Sequence, residues 1–129
     1  MIQLYEFDSR HTYLDNGKLE VLAIDQDAGN IPRPVGKIAA EDHCTGWVWI
    51  NDLFVVEDMR RQGIARKLVL AAMRGSEEFA VAGWNAGVHS RNIASIALFE
   101  SLGFRWVYSF PENADVRVYS ATQRRPDDE

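Results

Sequence analysis

At 129 residues, with 47% hydrophobic and 26% charged side chains, the chain has room for one folded domain, not two, and its composition excludes whole-chain disorder. A formal net charge of −5 argues against a surface built to coat phosphate backbones or anionic lipid, so no nucleic-acid partner is expected, while a cationic acceptor is electrostatically welcome. One cysteine, Cys44, excludes an internal disulfide and a Cys-cluster zinc site, so no metal is expected and the cytoplasm is the expected compartment.

Residues 1–6 lack the basic start and apolar run of a secretory signal, and no stretch approaches the ~20 apolar residues of a membrane span. No membrane association is expected. Residues 2–7 and 19–24 read as strands, and Asn16-Gly17 between them predicts a tight hairpin turn, so 12–24 reads as a hairpin. Two prolines among Asp, Gly and Asn mark a loop over 25–34, followed by a strand over 35–40. The aromatic and β-branched run 47–56 is the best strand of the chain.

The period then changes. Ile64, Leu68, Ala71 and Ala72 share one helical face until Gly75 stops the helix. A strand is predicted over 79–88, and Asn92 then stands where an N-cap side chain would satisfy the first amides of a second helix, 93–102, closed by Gly103. Strands over 104–110 and 116–121 complete a single domain over 1–122, and 123–129 has nothing to bury and reads as a frayed tail.

The chemistry points to the turn between the best strand and the best helix, Val55-Val-Glu-Asp-Met-Arg60-Arg-Gln-Gly-Ile-Ala65. Backbone amides converge at such a junction, and the helix dipole adds partial positive charge. Gly63 allows close approach of a bulky anion, and Arg60 and Arg61 add full charge. A pyrophosphate cradle fits these features. The missing Gly-Lys-Ser/Thr rules against a magnesium-nucleotide loop, and the alternative for the turn alone is a solvated basic loop with a packing glycine.

With Asn92-Ile-Ala-Ser-Ile-Ala-Leu-Phe-Glu-Ser-Leu-Gly-Phe104 one strand later, residues 47–104 resemble the GNAT superfamily of acetyl-CoA-dependent acyltransferases, and the second motif looks closest to the branch that acetylates protein N-terminal amines. The resemblance implies a mixed, mainly antiparallel α/β sheet with two main helices and a splayed strand pair. It implies that Arg61, Gln62, Gly63, Ile64, Ala65 and Arg66 hold the coenzyme A pyrophosphate beside Arg60. Leu53, Phe54 and Val55 would offer backbone groups to the pantetheine arm and thioester, an amide of Val55 serving an oxyanion. Asn92 would touch the coenzyme arm as well as capping its helix, and Phe99 occupies a cofactor-side position.

The implied proton chemistry departs from the family pattern. The frequent tyrosine acid is Phe99 here, and the glutamate base of the N-terminal branch is Gly87. Asp52, in the central strand, is the first candidate base; His89, before Asn92, is the second; Tyr108, Tyr119 or water would supply a proton. About ten residues separate the first strand from the Asn16-Gly17 turn, where the family usually has two helices forming an acceptor wall. The acceptor groove is therefore open, or a second subunit of a homodimer supplies the wall, for which Trp47, Trp49, Trp84 and Trp106 are aromatic candidates if exposed. The expected function is direct acetyl transfer from acetyl-CoA to a primary amine of a small molecule, peptide or protein, with Cys44 a spectator. The alternative is a catalytically weak or inactive member that binds acetyl-CoA and regulates a partner protein.

Overall fold

The computed structural model describes residues 1–8, 17–27, 29 and 31–123. Strand β1 (Ile2–Asp8) pairs antiparallel with β2 (Gly17–Asp25), β2 with β3 (Arg33–Asp42), and β3 with β4 (Trp47–Val55). A single 3-10 turn, Glu57–Met59, precedes α1 (Ile64–Gly75), which crosses to β5 (Gly83–His89), parallel to β4. Helix α2 (Ile93–Ser101) leads to β6 (Arg105–Phe110), and β7 (Asn113–Thr122) inserts between β5 and β6. The seven-stranded order is β1-β2-β3-β4-β5-β7-β6, antiparallel everywhere except between β4 and β5. This is the mixed α/β sheet with two main helices that the sequence predicts.

Strand β2 has β1 on one edge and β3 on the other, and residues 12–15 of the predicted 12–24 hairpin lie outside the described residues. Of the Asn16-Gly17 turn, only Gly17 lies among the described residues, where it begins β2. Strand β3 begins at Arg33, earlier than predicted, because a register shift at Ala23/Ile24 lets Pro34 sit in the strand. Residues 79–82 are not strand. The amides of Phe79 and Ala80 donate to the Ser76 carbonyl in the turn that leaves α1, and β5 starts only at Gly83, where a Cβ would collide with the Ala121 carbonyl. The predicted frayed tail, 124–129, lies outside the described residues.

The buried face of α1 is the predicted one with Val69 added and Ala71 only half-buried at its edge: Ile64, Leu68, Val69 and Ala72 join Leu19, Val21, Ile38, Val48 and Ile50 of the sheet in one core. Gly36 on β3 permits the close approach, since a Cβ there would lie 3.0 Å from Leu68 Cδ1 and 3.2 Å from the Phe54 carbonyl. At the far end, Ser76 Oγ donates to the Ala72 carbonyl at 2.6 Å and accepts from Trp84 Nε1 at 3.0 Å, tying α1 to β5. Both ends of the helix are thus held to the sheet, which fixes its N-terminus in space. Among the described residues, no helix is long and apolar enough to cross a membrane.

Candidate functional site

The site begins as a fault in β4. Ala39 faces Asn51 and Lys37 faces Phe54, so Ile38 alone opposes both Asp52 and Leu53: β4 carries a bulge of one residue, with Asp52 at φ 58°. The bulge switches which residues face α1, from Val48 and Ile50 before it to Val55 after it. Beyond Ile50↔Ala86 the pairing of β4 with β5 stops, and the two strands part.

Backbone groups of Val55 are freed by this arrangement. The amide of Val56 donates to the Val35 carbonyl at 2.9 Å, so the neighbouring pair Gly36↔Val55 is a non-hydrogen-bonded pair of the ladder, and the N–H and C=O of Val55 point away from β3, toward the gap. Arg60 Nε donates to that carbonyl at 3.0 Å. The Val55 N–H is taken by no strand among the described residues.

Two adjoining cavities occupy the gap and share Leu53, Asn92 and Ser95. The larger, about 660 Å³, lies at the N-terminus of α1 and is lined by Phe54, Val55, Gly63, Ile64, Ala65 and three arginines, Arg60, Arg61 and Arg66, with no acidic residue. Gly63 precedes the helix at φ 79°, and no side chain among the described residues caps the end of α1. The first amides of the helix therefore have no intrahelical partner and no side-chain acceptor. A Cβ at Gly63 would meet no atom within 4 Å, so the position opens onto free space. An uncapped 12-residue helix, a bare glycine and three cations fit a multiply charged anion such as a pyrophosphate. Arg66 is also held to α2 through Ser101 Oγ at 3.0 Å, and Arg60 lies 5.9 Å from the Phe54 ring centroid. Gln62 lies in the turn but does not line the cavity.

The turn is itself anchored. Arg33 donates two hydrogen bonds of 2.8 Å to Asp58, which hold that carboxyl below its ordinary range and raise the guanidinium. Both groups lie in solvent, so the pair acts more on loop position than on stability. A carboxyl lowered by the fold stabilises it above its ordinary pKa and ceases to do so as pH falls through the folded value. The difference in melting temperature between the wild type and Asp58→Asn is therefore expected to be constant above about pH 5 and to close below about pH 4. A gap that widens in acid would contradict the assignment.

The smaller cavity, about 360 Å³, lies between the parted strands and is lined by Asp52, His89, Glu41, Asn51, Gly87 and Phe99, among others. It brings together both predicted proton-handling residues. Asp52 is exposed, and its side chain makes no hydrogen bond or ion pair among the described residues. His89 Nδ1 accepts from the Arg91 amide at 3.1 Å, so the neutral ring carries its proton on Nε2 and is a donor there. Phe99 is buried in edge-to-face contact with Phe104 at 5.0 Å and lines this cavity, not the helix-end one. Asn92 Oδ1 accepts from the Ser95 amide at 3.2 Å, making it the N-cap of α2 while it lines both cavities.

Tyr108 and Tyr119 line neither cavity; Tyr119 is buried and Tyr108 lies half exposed on β6. Cys44 is exposed in the turn before β4 and also lines neither. Sequence reasoning missed Glu41, which lines the smaller cavity and lies 3.4 Å from His43 Nε2. Its signal lies in the strand pairing alone, since Glu41 faces Trp49 across the ladder.

A family model described as the acetyltransferase (GNAT) family matches residues 3–104. No curated protein sequence matches the chain. Among solved structures, the putative acyl-CoA N-acyltransferase of Klebsiella pneumoniae has a TM-score of 0.77 over 95% of this chain and 97% of its own, at 12% identity. Arabidopsis thaliana NAA60 in complex with a bisubstrate analogue gives 0.71 over 83% and 77%, at 21% identity. The PaiA N-acetyltransferase of Thermoplasma acidophilum, in complex with coenzyme A, gives 0.69 over 82% and 61%, at 13% identity. These likenesses are of fold.

Proposed function

We propose that this chain, which belongs to the GNAT family of acetyltransferases, transfers an acetyl group from acetyl-CoA directly to a primary amine. The observation that carries the reading is the junction of an uncapped, arginine-lined helix end with a carboxylate-lined cavity across parted strands. Relatives of the same fold solved with coenzyme A or a bisubstrate analogue support it. Bound acetyl-CoA supplies an activated thioester whose acetyl carbon accepts an amine.

The residues of the chain divide the remaining work. Arg60, Arg61 and Arg66, with the amides of residues 63–66, bind the pyrophosphate, and the bare Gly63 leaves room for it. Leu53 and Phe54 border the pantetheine arm, and Asn92 and Ser95 stand at the junction of the two cavities. The Val55 N–H donates to oxygen where negative charge develops. Asp52, without a competing partner among the described residues, takes the proton of the acceptor ammonium; His89 Nε2–H is a donor in the same cavity, a role its bond from Arg91 suits better than that of base.

Free thiol release from acetyl-CoA over a panel of amines, polyamines and peptides tests the reading. Turnover with at least one amine is the expected result. Saturable binding of acetyl-CoA with no thiol release across the panel would instead favour a binding-only member that regulates a partner, as the phenylalanine at 99 and glycine at 87 would suit.

A further inference from the structure

Side chains alternate across a sheet, and α1 covers the face that carries Val48, Ile50, Trp84 and Ala86. The opposite face carries, in register across β3, β4 and β5, Glu41, Trp49 and Asn85. It runs directly into the smaller cavity, because Glu41, Asn51, Gly87 and His89 belong to this face and line it.

Beside those residues stands an aromatic wall. The Trp49 ring is stacked with Phe110 at 6.3 Å between centroids and 18° between planes, and Tyr108 meets Phe110 edge-on at 6.5 Å. Phe110 packs against Gly87, a lining residue of the cavity: a Cβ on Gly87 would lie 3.4 Å from Phe110 Cε2, in ordinary contact. An aromatic ring thus borders the cavity at a position that carries no side chain. Carboxylate remains at the other side, since Glu41 is the direct cross-strand neighbour of Trp49.

Resting on the acetyl-transfer reading, we propose that the acceptor is an arylalkylamine: a primary amine on a short arm from an aromatic ring, the ring against the Trp49–Phe110 stack and the ammonium at Glu41. Two forces act together. The wall removes apolar ring surface from water and offers a stacking partner. The cation is met by the carboxylates of Glu41 and Asp52 and by the electron-rich face of Trp49. A polyamine or lysine side chain would satisfy the charge but leave the aromatic wall unfilled.

The test compares thiol release with phenethylamine and tryptamine against spermidine, Nα-acetyl-lysine and a peptide beginning with phenylalanine. Phenethylamine is expected to exceed spermidine in kcat/KM by about tenfold or more, the scale of one buried ring. Phe110→Ala and Trp49→Leu should collapse that preference by raising KM for phenethylamine while moving kcat little; Phe110→Leu and melting curves separate this from misfolding. A preference for spermidine, lysine or the peptide, or wall variants that keep the arylalkylamine preference, would overturn the proposal while leaving acetyl transfer standing. Tryptophan fluorescence quenching by phenethylamine separates the two readings: quenching lost in Phe110→Ala, with no turnover of any amine, would sink acetyl transfer and retain the binding site. Sedimentation showing a dimer that Phe110→Ala dissociates would make the wall a subunit contact and end the proposal.

Discussion

Gly63→Asp is expected to abolish the thermal stabilisation that acetyl-CoA should give the wild type. At a ligand concentration about 100 times Kd, binding to the folded state alone contributes about 2.7 kcal/mol, which for a chain of this length is a rise of roughly 10 °C in melting temperature. The substitution is chosen so that the fold survives. Asp tolerates a positive φ better than most residues, and position 63, at φ 79°, faces open space with no atom to displace. Its carboxylate would stand beside the free amides of α1, favourable to the helix dipole and hostile to a second anion. The unliganded protein is therefore expected to melt within a few degrees of the wild type while the ligand-induced shift disappears. A shift of wild-type size in Gly63→Asp, measured by differential scanning fluorimetry, would place the cofactor somewhere other than the end of α1.

The second large effect is at Asp52. Replacing a general base commonly lowers rate by about 10²- to 10⁴-fold, and Asp52→Asn is expected to reduce kcat on that scale with unchanged affinity for acetyl-CoA. Asparagine is the correct control, because it accepts the left-handed conformation that Asp52 adopts at φ 58° and so preserves the bulge. Alanine would confuse loss of the base with strain in the strand. His89→Gln is expected to cost less, as the histidine is committed at Nδ1 to the Arg91 amide. Undiminished turnover by Asp52→Asn, with His89→Gln inactive, would exchange the two roles.

The sequence makes α1 and the anion turn legible because two independent signals coincide there. Apolar spacing gives the helix face, and a glycine beside clustered arginines marks the helix entry; the structure adds Val69 to that face and leaves Ala71 half-buried. Asn92 is legible for the same reason, as cap chemistry is local. Non-local pairing is not. The insertion of β7 between β5 and β6 depends on which edge β5 leaves open, and no local run of residues reports that. Nor can strand periodicity reveal the bulge at Asp52: the core-facing positions shift from even to odd along β4, and in an aromatic-rich run either parity looks buried. Glu41 escaped because its importance comes entirely from lying across the ladder from Trp49, on a strand with no motif of its own.

The unequal charge of the two cavities has a consequence for what leaves after reaction. An incoming ammonium is drawn toward the end that carries Glu41 and Asp52, each pairing contributing on the order of 1 kcal/mol or less where water has access. Acylation erases that charge, so the resulting amide keeps its apolar contacts but forfeits the attraction that concentrated its precursor. Spent coenzyme would retain every phosphate charge, and the larger cavity is lined by Arg60, Arg61 and Arg66. If acetyl transfer proceeds as proposed, departure is expected to follow electrostatics: the neutral product first, the polyanion last, with accumulated amide inhibiting the next cycle far less than accumulated coenzyme A.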